Sequence, residues 1–156
     1  DFVQPERFEL EFINEKGEKE RPVMIHHATL GSVERFLSVF IEHTGGWFPF
    51  WAAPEQVRVI KVGVKDEAVE KYVERMQEIL DGVVLERPLK YNELRFTVDE
   101  TDDSLGKKIR RATEMKIPAI LVVGPKDVEA GEVSVRLKDK EEKVKLEELA
   151  GYLKAL

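Results

Sequence analysis

The chain has 156 residues, of which 42% are apolar and 36% charged, with a net charge of −6 and no cysteine. That is a heavily charged globular protein, long enough for one ordinary domain or a small domain plus part of another. It excludes a disulfide framework and leaves any metal to histidines and carboxylates.

Residues 1–54 carry nine acids and five bases, and residues 55–156 carry 22 and 20. Neither half has the basic surplus of a general nucleic-acid binder, so any RNA contact must come from a local patch. No apolar run reaches the length of a membrane span, and no signal peptide is visible. Abundant Glu and Lys without Cys fit a heat-tolerant cytoplasmic protein.

Phe8, Leu10 and Phe12 alternate with charged residues, as a half-buried strand does. A turn at Asn14 to Gly17 leads to a second strand ending at His26, which predicts a hairpin over residues 7–26. A two-stranded hairpin is marginal alone, so this one calls for a larger sheet. Gly31 and Ser32 then form a tight turn, with Ser32 as the cap of a helix. Val33, Phe36, Leu37, Phe40 and Ile41 make one apolar face of that helix, and Gly45-Gly46 end it. Residues 1–50 therefore need apolar cover from elsewhere, and are expected to pack on the second domain, to swap between chains, or to be poorly ordered. An aromatic loop follows, and Ala53-Pro54 reads as a domain boundary.

From Gln56 strands and helices alternate. QVRVIKVGV reads as a strand and residues 67–80 as a helix with Ala68, Val69, Tyr72, Val73, Met76, Ile79 and Leu80 on one face. Residues 83–100 contain one strand or a hairpin. Asp103 or Ser104 caps a helix running to about Lys116, with Leu105, Ile109 and Ala112 inward. PAILVVG reads as a central strand, GPKDVEAGE as a turn, EVSVRLK as a partner strand and residues 145–155 as a closing helix. That order implies an α/β fold, a mixed β-sheet with helices packed on it.

Three features carry chemistry. His26 and His27 are adjacent, so on a strand they face opposite ways and cannot share one ion. A histidine at the end of an apolar strand is more often a hydrogen-bonded core residue than a ligand, and a zinc site needs three or four ligands. Arg35 sits in the first turn of a helix, where a cation opposes the macrodipole. It is either an exposed arginine paired with Glu34 or Glu42, or a planar fork for a phosphate or carboxylate. Lys107, Lys108, Arg110 and Arg111 form either a solvated helix face or the border of a groove for a nucleic-acid backbone, with an acidic run at residues 99–103 opposing phosphate. His43, Trp47 and Trp51 read as packing.

The motif text adds to this. DF-x-x-PERF, then RPVMIH-x-A-x-LGS-x-ERF, then E-x-x-GG-x-FP-x-W-x-AP-x-QV resemble the end of the catalytic domain of threonyl-tRNA synthetase, with GSVERF similar to the third class II signature motif. LGKKIRRATEMKIPAILVVGPKDVEAGEVSVR is similar to the anticodon-binding domain that follows it in that family. The resemblance implies residues 1–54 as the end of the class II catalytic core, a β-hairpin plus helix from its antiparallel sheet, and residues 55–156 as the anticodon-binding domain.

By the same resemblance, His26 matches a ligand of a zinc ion that reads the threonine amino and hydroxyl groups. Arg35 matches the motif 3 arginine that clamps ATP phosphate, with Gly31 and Ser32 letting the chain turn close to the nucleotide. Arg110 and Arg136 match residues that contact anticodon bases, and Asp102 and Asp127 occupy positions of the same kind. The parent would use ATP with Mg, and Zn, to join threonine to threonine tRNA, as a homodimer through its core, with no membrane and no DNA partner.

Departures from the family pattern are Thr101-Asp102-Asp103-Ser104 in place of R-N-E-K, His27 in place of an arginine, Asp127 in place of a Glu, and a longer stretch between Leu80 and Leu105 that suggests an inserted hairpin. Motifs 1 and 2 and the other zinc ligands lie upstream in the family, so this chain alone is expected to be inactive and to hold no cofactor stably. The alternative is a stand-alone, non-catalytic RNA-binding or protein-interaction module.

Overall fold

The computed structural model describes residues 1–63, 66–85 and 93–156. The chain divides into two compact units, Asp1–Phe40 and Ile41–Leu156.

In the first unit, α1 (Val3–Arg7) starts where the Asp1 Oδ1 accepts the amides of Val3 and Gln4 at 2.8 and 3.0 Å. Two short strands, β1 (Phe12–Ile13) and β2 (Lys19–Glu20), pair antiparallel. The turn between them is held by Asn14 Oδ1, which accepts the amides of Lys16 and Glu18. The hairpin is much shorter than the alternation predicts. Phe8 and Leu10 lie outside the ladder and stay exposed, and residues 21–28, with His26, have no regular structure. The physical reason is that period-two alternation encodes a face to be buried, and a two-residue ladder with no third strand beside it buries nothing.

The helix α2 (Val33–Thr44) matches its predicted bounds. Ser32 Oγ accepts the Arg35 amide at 3.2 Å, and Gly45 and Gly46 end the helix at φ of 58° and 80°. Its apolar stripe forms as the spacing dictates: Phe36 and Phe40 stack at 5.6 Å. No residue of α2 is buried.

The second unit is built on a five-stranded sheet in the order β4-β3-β5-β6-β7: β3 (Val57–Lys61), β4 (Phe96–Asp99), β5 (Ala119–Val123), β6 (Glu132–Arg136) and β7 (Glu141–Lys145). Strands β3, β4 and β5 are parallel, while β6 and β7 run antiparallel, so the sheet is mixed as expected. Parallel strands require helical crossovers, supplied by α3 (Glu67–Asp81) and α4 (Leu105–Glu114). Every residue of β5 is buried, which is why it reads as an unbroken apolar run.

Val57, Val59, Leu121, Val123, Val133 and Val135 face one way, onto Val69, Val73, Met76 and Leu80 of α3 and onto Leu149 and Leu153 of α6 (Leu149–Lys154). Ile60, Ile120 and Val122 face the other way, under Ala112 of α4 and Ile117.

Three local expectations are corrected. GPKDVEAGE is not a turn but contains α5 (Pro125–Ala130), with proline at its start and the left-handed Gly131 (φ 68°) at its end. Strand β7 escapes a pattern search because only Val144 of its five residues is buried, as befits a charged edge strand. On α4, Leu105 is exposed and Lys108 is buried instead. Of the strand or inserted hairpin expected over residues 83–100, residues 86–92 lie outside the described residues; Val84 and Glu93 form an antiparallel bridge and β4 follows.

Candidate nucleic-acid interface

Because Val133 and Val135 of β6 point into the α3 and α6 core, Ser134 and Arg136 must point to the opposite face. Their partners across the ladder are Lys143 and Glu141 of β7. Helix α4 covers β3 and β5 on that face, so the β6–β7 half is left as a polar strip beside it.

Asp127 reaches this strip from α5. Its Oδ2 accepts the Gly124 amide at 3.0 Å, which fixes the carboxylate. Its Oδ1 accepts from Ser134 Oγ at 3.2 Å and lies 3.5 Å from Lys143 Nζ. Arg136 Nε lies 3.1 Å from Glu141. The structure thus brings Asp127 and Arg136 onto one surface, with Ser134 and Lys143 between acid and arginine. Those two were missed in the sequence: the Val-Ser-Val-Arg alternation contains the signal for Ser134, but Lys143 sits on the edge strand β7, which carries none.

Arg136 also borders a cavity of about 180 Å³ between α4 and the sheet, lined by Ile109, Thr113, Trp47 and Lys138 among others. Arg110 stands on the exposed side of α4, 80% exposed and paired with Glu114 at 2.8 Å. Asp102 lies exposed in the loop before α4 and pairs with no described residue.

The cations of α4 are partnered within the fold. Lys107 pairs with Asp103 at 2.6 Å, Arg111 pairs with both Asp99 and Asp103, and Lys108 Nζ is buried against the Asp99 carbonyl at 3.3 Å. The acidic run before the helix is therefore the internal counter-charge of the basic run on it. Burial pushes the Asp99 carboxyl up, but hydrogen bonds from Thr101 and Arg111 outweigh that and hold it at about 2. A hydrogen bond from Lys107 holds Asp103 below the usual carboxylate range.

In the first unit, the His26 ring is half-exposed, with Nε2 at 2.9 Å from Asp1 Oδ2. No group of three His, Cys, Asp or Glu side chains that could hold a metal exists among the described residues. Gly31 has a φ of 64°, the left-handed conformation its turn demands. Arg35 is exposed, and its guanidinium forms no ion pair with a described residue, Glu34 and Glu42 included.

With this geometry in view, residues 56–156 match the family model described as the anticodon binding domain. The chain belongs to the anticodon-binding domain family. A second model, the tRNA synthetase class II core domain (G, H, P, S and T), matches residues 1–44.

Relatives of this chain include a threonine–tRNA ligase of Gloeobacter violaceus, 42% identical over 157 residues, covering 98% of this chain and 23% of that protein. A threonine–tRNA ligase of Cutibacterium acnes is 45% identical over 139 residues, covering 89% of this chain and 19% of that protein. The chain thus spans about a fifth of the length of the curated relatives it matches.

Among solved structures, the RNA binding domain of threonyl-tRNA synthetase from Cryptosporidium parvum superposes with a TM-score of 0.78 at 29% identity, covering 99% of this chain and 37% of that one. A prolyl-tRNA synthetase of the same organism, at 22% identity and a TM-score of 0.66 over 96% of this chain and 30% of that one, shares the fold alone.

Proposed function

We propose that this chain is the C-terminal part of a threonine–tRNA ligase, with residues 1–54 closing the class II catalytic core and residues 55–156 receiving the anticodon of threonine tRNA. The observation that carries this reading is the 42% identity with a threonine–tRNA ligase, which extends over 98% of the chain and so across both segments. The whole enzyme would activate threonine with ATP and Mg, charge the tRNA, and work in the cytoplasm as a homodimer joined through its core.

In the second unit, the strip of Asp127, Ser134, Arg136 and Lys143 supplies alternating acceptors and donors, the pattern needed to read base edges in an opened loop. Arg110, exposed on α4, and Asp102, before it, extend the donors and acceptors beyond the strip.

In the first unit, Arg35 is the phosphate-binding group. Its guanidinium is exposed, and its position at the start of α2, where a cation is unfavourable, is offset once an anion is bound. Gly31 and Ser32 hold the turn that presents it.

Zinc is a different matter. A zinc site needs three or four ligands, and among the described residues His26 meets one carboxylate, that of Asp1 at 2.9 Å. The described residues do not complete a zinc site. One arginine without further positioned donors does not assemble the electrostatic stabilisation of adenylate formation. The 156-residue chain is therefore expected to give no threonine-dependent pyrophosphate exchange.

The test is to titrate threonine tRNA against the chain at low and high salt. Binding that weakens as salt rises, and that Arg136→Glu abolishes, supports the reading. A second reading, a protein-interaction module without RNA binding, is favoured by the internal pairing of the α4 cations. Absence of binding at low salt would leave that reading standing.

A further inference from the structure

We propose that Trp47, with Lys138 beside it, is the platform on which one unstacked base of the bound RNA loop rests. The proposal deepens the reading of residues 55–156 as the seat of a tRNA anticodon loop and rests on it. It adds a segment that neither family model covers, because the two matches end at residue 44 and begin at residue 56.

Trp47 is placed by its backbone. Gly45 and Gly46 are both left-handed, the Trp47 amide donates to the Thr44 carbonyl at 3.1 Å, and Lys116 Nζ donates to the Gly45 carbonyl at 2.7 Å. The half-buried ring then stands with the ammonium groups of Lys116 and Lys138 each 5.8 Å from its centroid, within reach of a cation–π attraction. Trp47, Leu137 and Lys138 border both the cavity of about 180 Å³ that Arg136 lines and a larger one of about 420 Å³.

An aromatic ring held by a turn, flanked by lysines and opening beside an arginine, is the combination that binds single strands: the ring takes a base face and the cations take its phosphates. No carboxylate among the described residues lines the smaller cavity, whereas Arg136 and Lys138 both do. Arg136 shares its charge with Glu141 at 3.1 Å, whereas Lys138 forms no ion pair with a described residue. That charge favours an anion over a neutral ligand, and an exposed loop of RNA is an anion that also carries flat faces for the ring. In the sequence, a tryptophan in an aromatic loop carries no sign of which cations the fold brings to it.

The experiment uses the full chain, whose only tryptophans are Trp47 and Trp51. In a Trp51→Phe background, Trp47 is the sole tryptophan and is excited selectively over the three tyrosines at the red edge of the absorption band. It is titrated with the anticodon stem-loop of threonine tRNA and with the same stem closed by a tetraloop. The expected result is quenching of Trp47 emission by the anticodon loop but not by the tetraloop. Trp47→Ala should weaken binding about tenfold and Trp47→Phe no more than about threefold. Lys138→Ala should lower the slope of affinity against salt by about one phosphate contact.

If Trp47→Ala fails to fold, as judged by circular dichroism, the emission titration and Trp47→Phe still decide. Stem-loop binding that Arg136→Ala abolishes, with Trp47 emission and Trp47→Ala affinity unchanged, would overturn the proposal and leave the interface reading intact. No RNA binding at low salt would overturn both. Quenching by an acidic peptide and not by RNA would overturn the proposal in favour of a protein partner.

Discussion

Arg111 reaches from α4 to the end of β4, where its Nη2 donates to the Asp99 carboxylate at 2.5 Å while its Nη1 donates to Asp103 at 2.9 Å. One guanidinium thus ties the loop between strand and helix at two points. The same contact pairs internally a cation that composition alone would assign to RNA, although its side chain stays 36% exposed.

The first prediction concerns acid. The Asp99 carboxyl titrates at about 2 in the folded chain, below its ordinary 3.8. A folded-state pKa below the unfolded one means that the stabilisation is fully present above about pH 4 and is lost as pH falls toward 2. Asp99→Asn should cost about 2 kcal/mol at neutral pH and flatten the decline in stability over that window. Urea melts between pH 2 and 7 measure both. A variant that keeps the full acid slope would exclude Asp99 as its source.

Lys108 is 1% exposed, and its Nζ meets the Asp99 carbonyl at 3.3 Å. Its long stem fills core volume, so Lys108→Met should change stability by less than about 1.5 kcal/mol. Lys108→Ala should lose about 2–4 kcal/mol by leaving a cavity. Neither variant should change RNA affinity, since the ammonium is not at the surface. A Lys108→Met chain that folds normally but binds RNA less well would contradict this.

At Gly46, φ is 80° and an added Cβ would lie 2.9 Å from Cδ of Lys116. The lysine stem can give way, but only by leaving the Gly45 carbonyl it holds. Gly46→Ala should cost about 1–3 kcal/mol. At Gly45, φ is 58° and nothing lies within 4 Å of the added carbon, so Gly45→Ala carries only the backbone strain and should cost less. Paired thermal melts of the two variants decide; equal losses would mean that Lys116 contributes nothing.

Arg95 clasps the segment before β3. Its guanidinium donates to the carbonyls of Trp51 at 3.0 Å, Ala53 at 2.9 Å and Pro54 at 3.2 Å. Beside it, the buried Gln56 side chain donates to the Phe50 carbonyl at 2.9 Å and accepts the Arg95 amide at 3.0 Å. Arg95→Ala should destabilise the chain by about 2 kcal/mol and speed proteolysis between Trp47 and Pro54. Arg95→Lys should not rescue it, because an ammonium lacks the planar fork. Limited digestion timed against the unmodified chain reads the effect, and rescue by lysine would point to charge rather than geometry.

Most of the second unit was legible in the sequence. The apolar run of β5, the stripe Val69, Val73, Met76 and Leu80 of α3, and the glycines after α2 are local signals, and each formed where it was expected. Local signals fail where an element's state depends on its neighbours. Val144 alone marks β7, which exists because β6 offers it an edge. Phe8 and Phe12 alternate with charge like strand residues, yet Phe8 lies outside the ladder and Phe12 joins only a two-residue one, so both stay exposed.

What the sequence by itself determined was the order of strands and helices, their periods, and, through motif text, the candidate residues Asp127 and Arg136. Only the tertiary structure decided which charges are spent internally, as at Arg111 and Lys108, and which are gathered on one face, as at Ser134, Arg136 and Lys143. The reason is physical: hydrophobic period is a property of a single segment, whereas a charge acquires its role from the partner that folding places within about 4 Å of it.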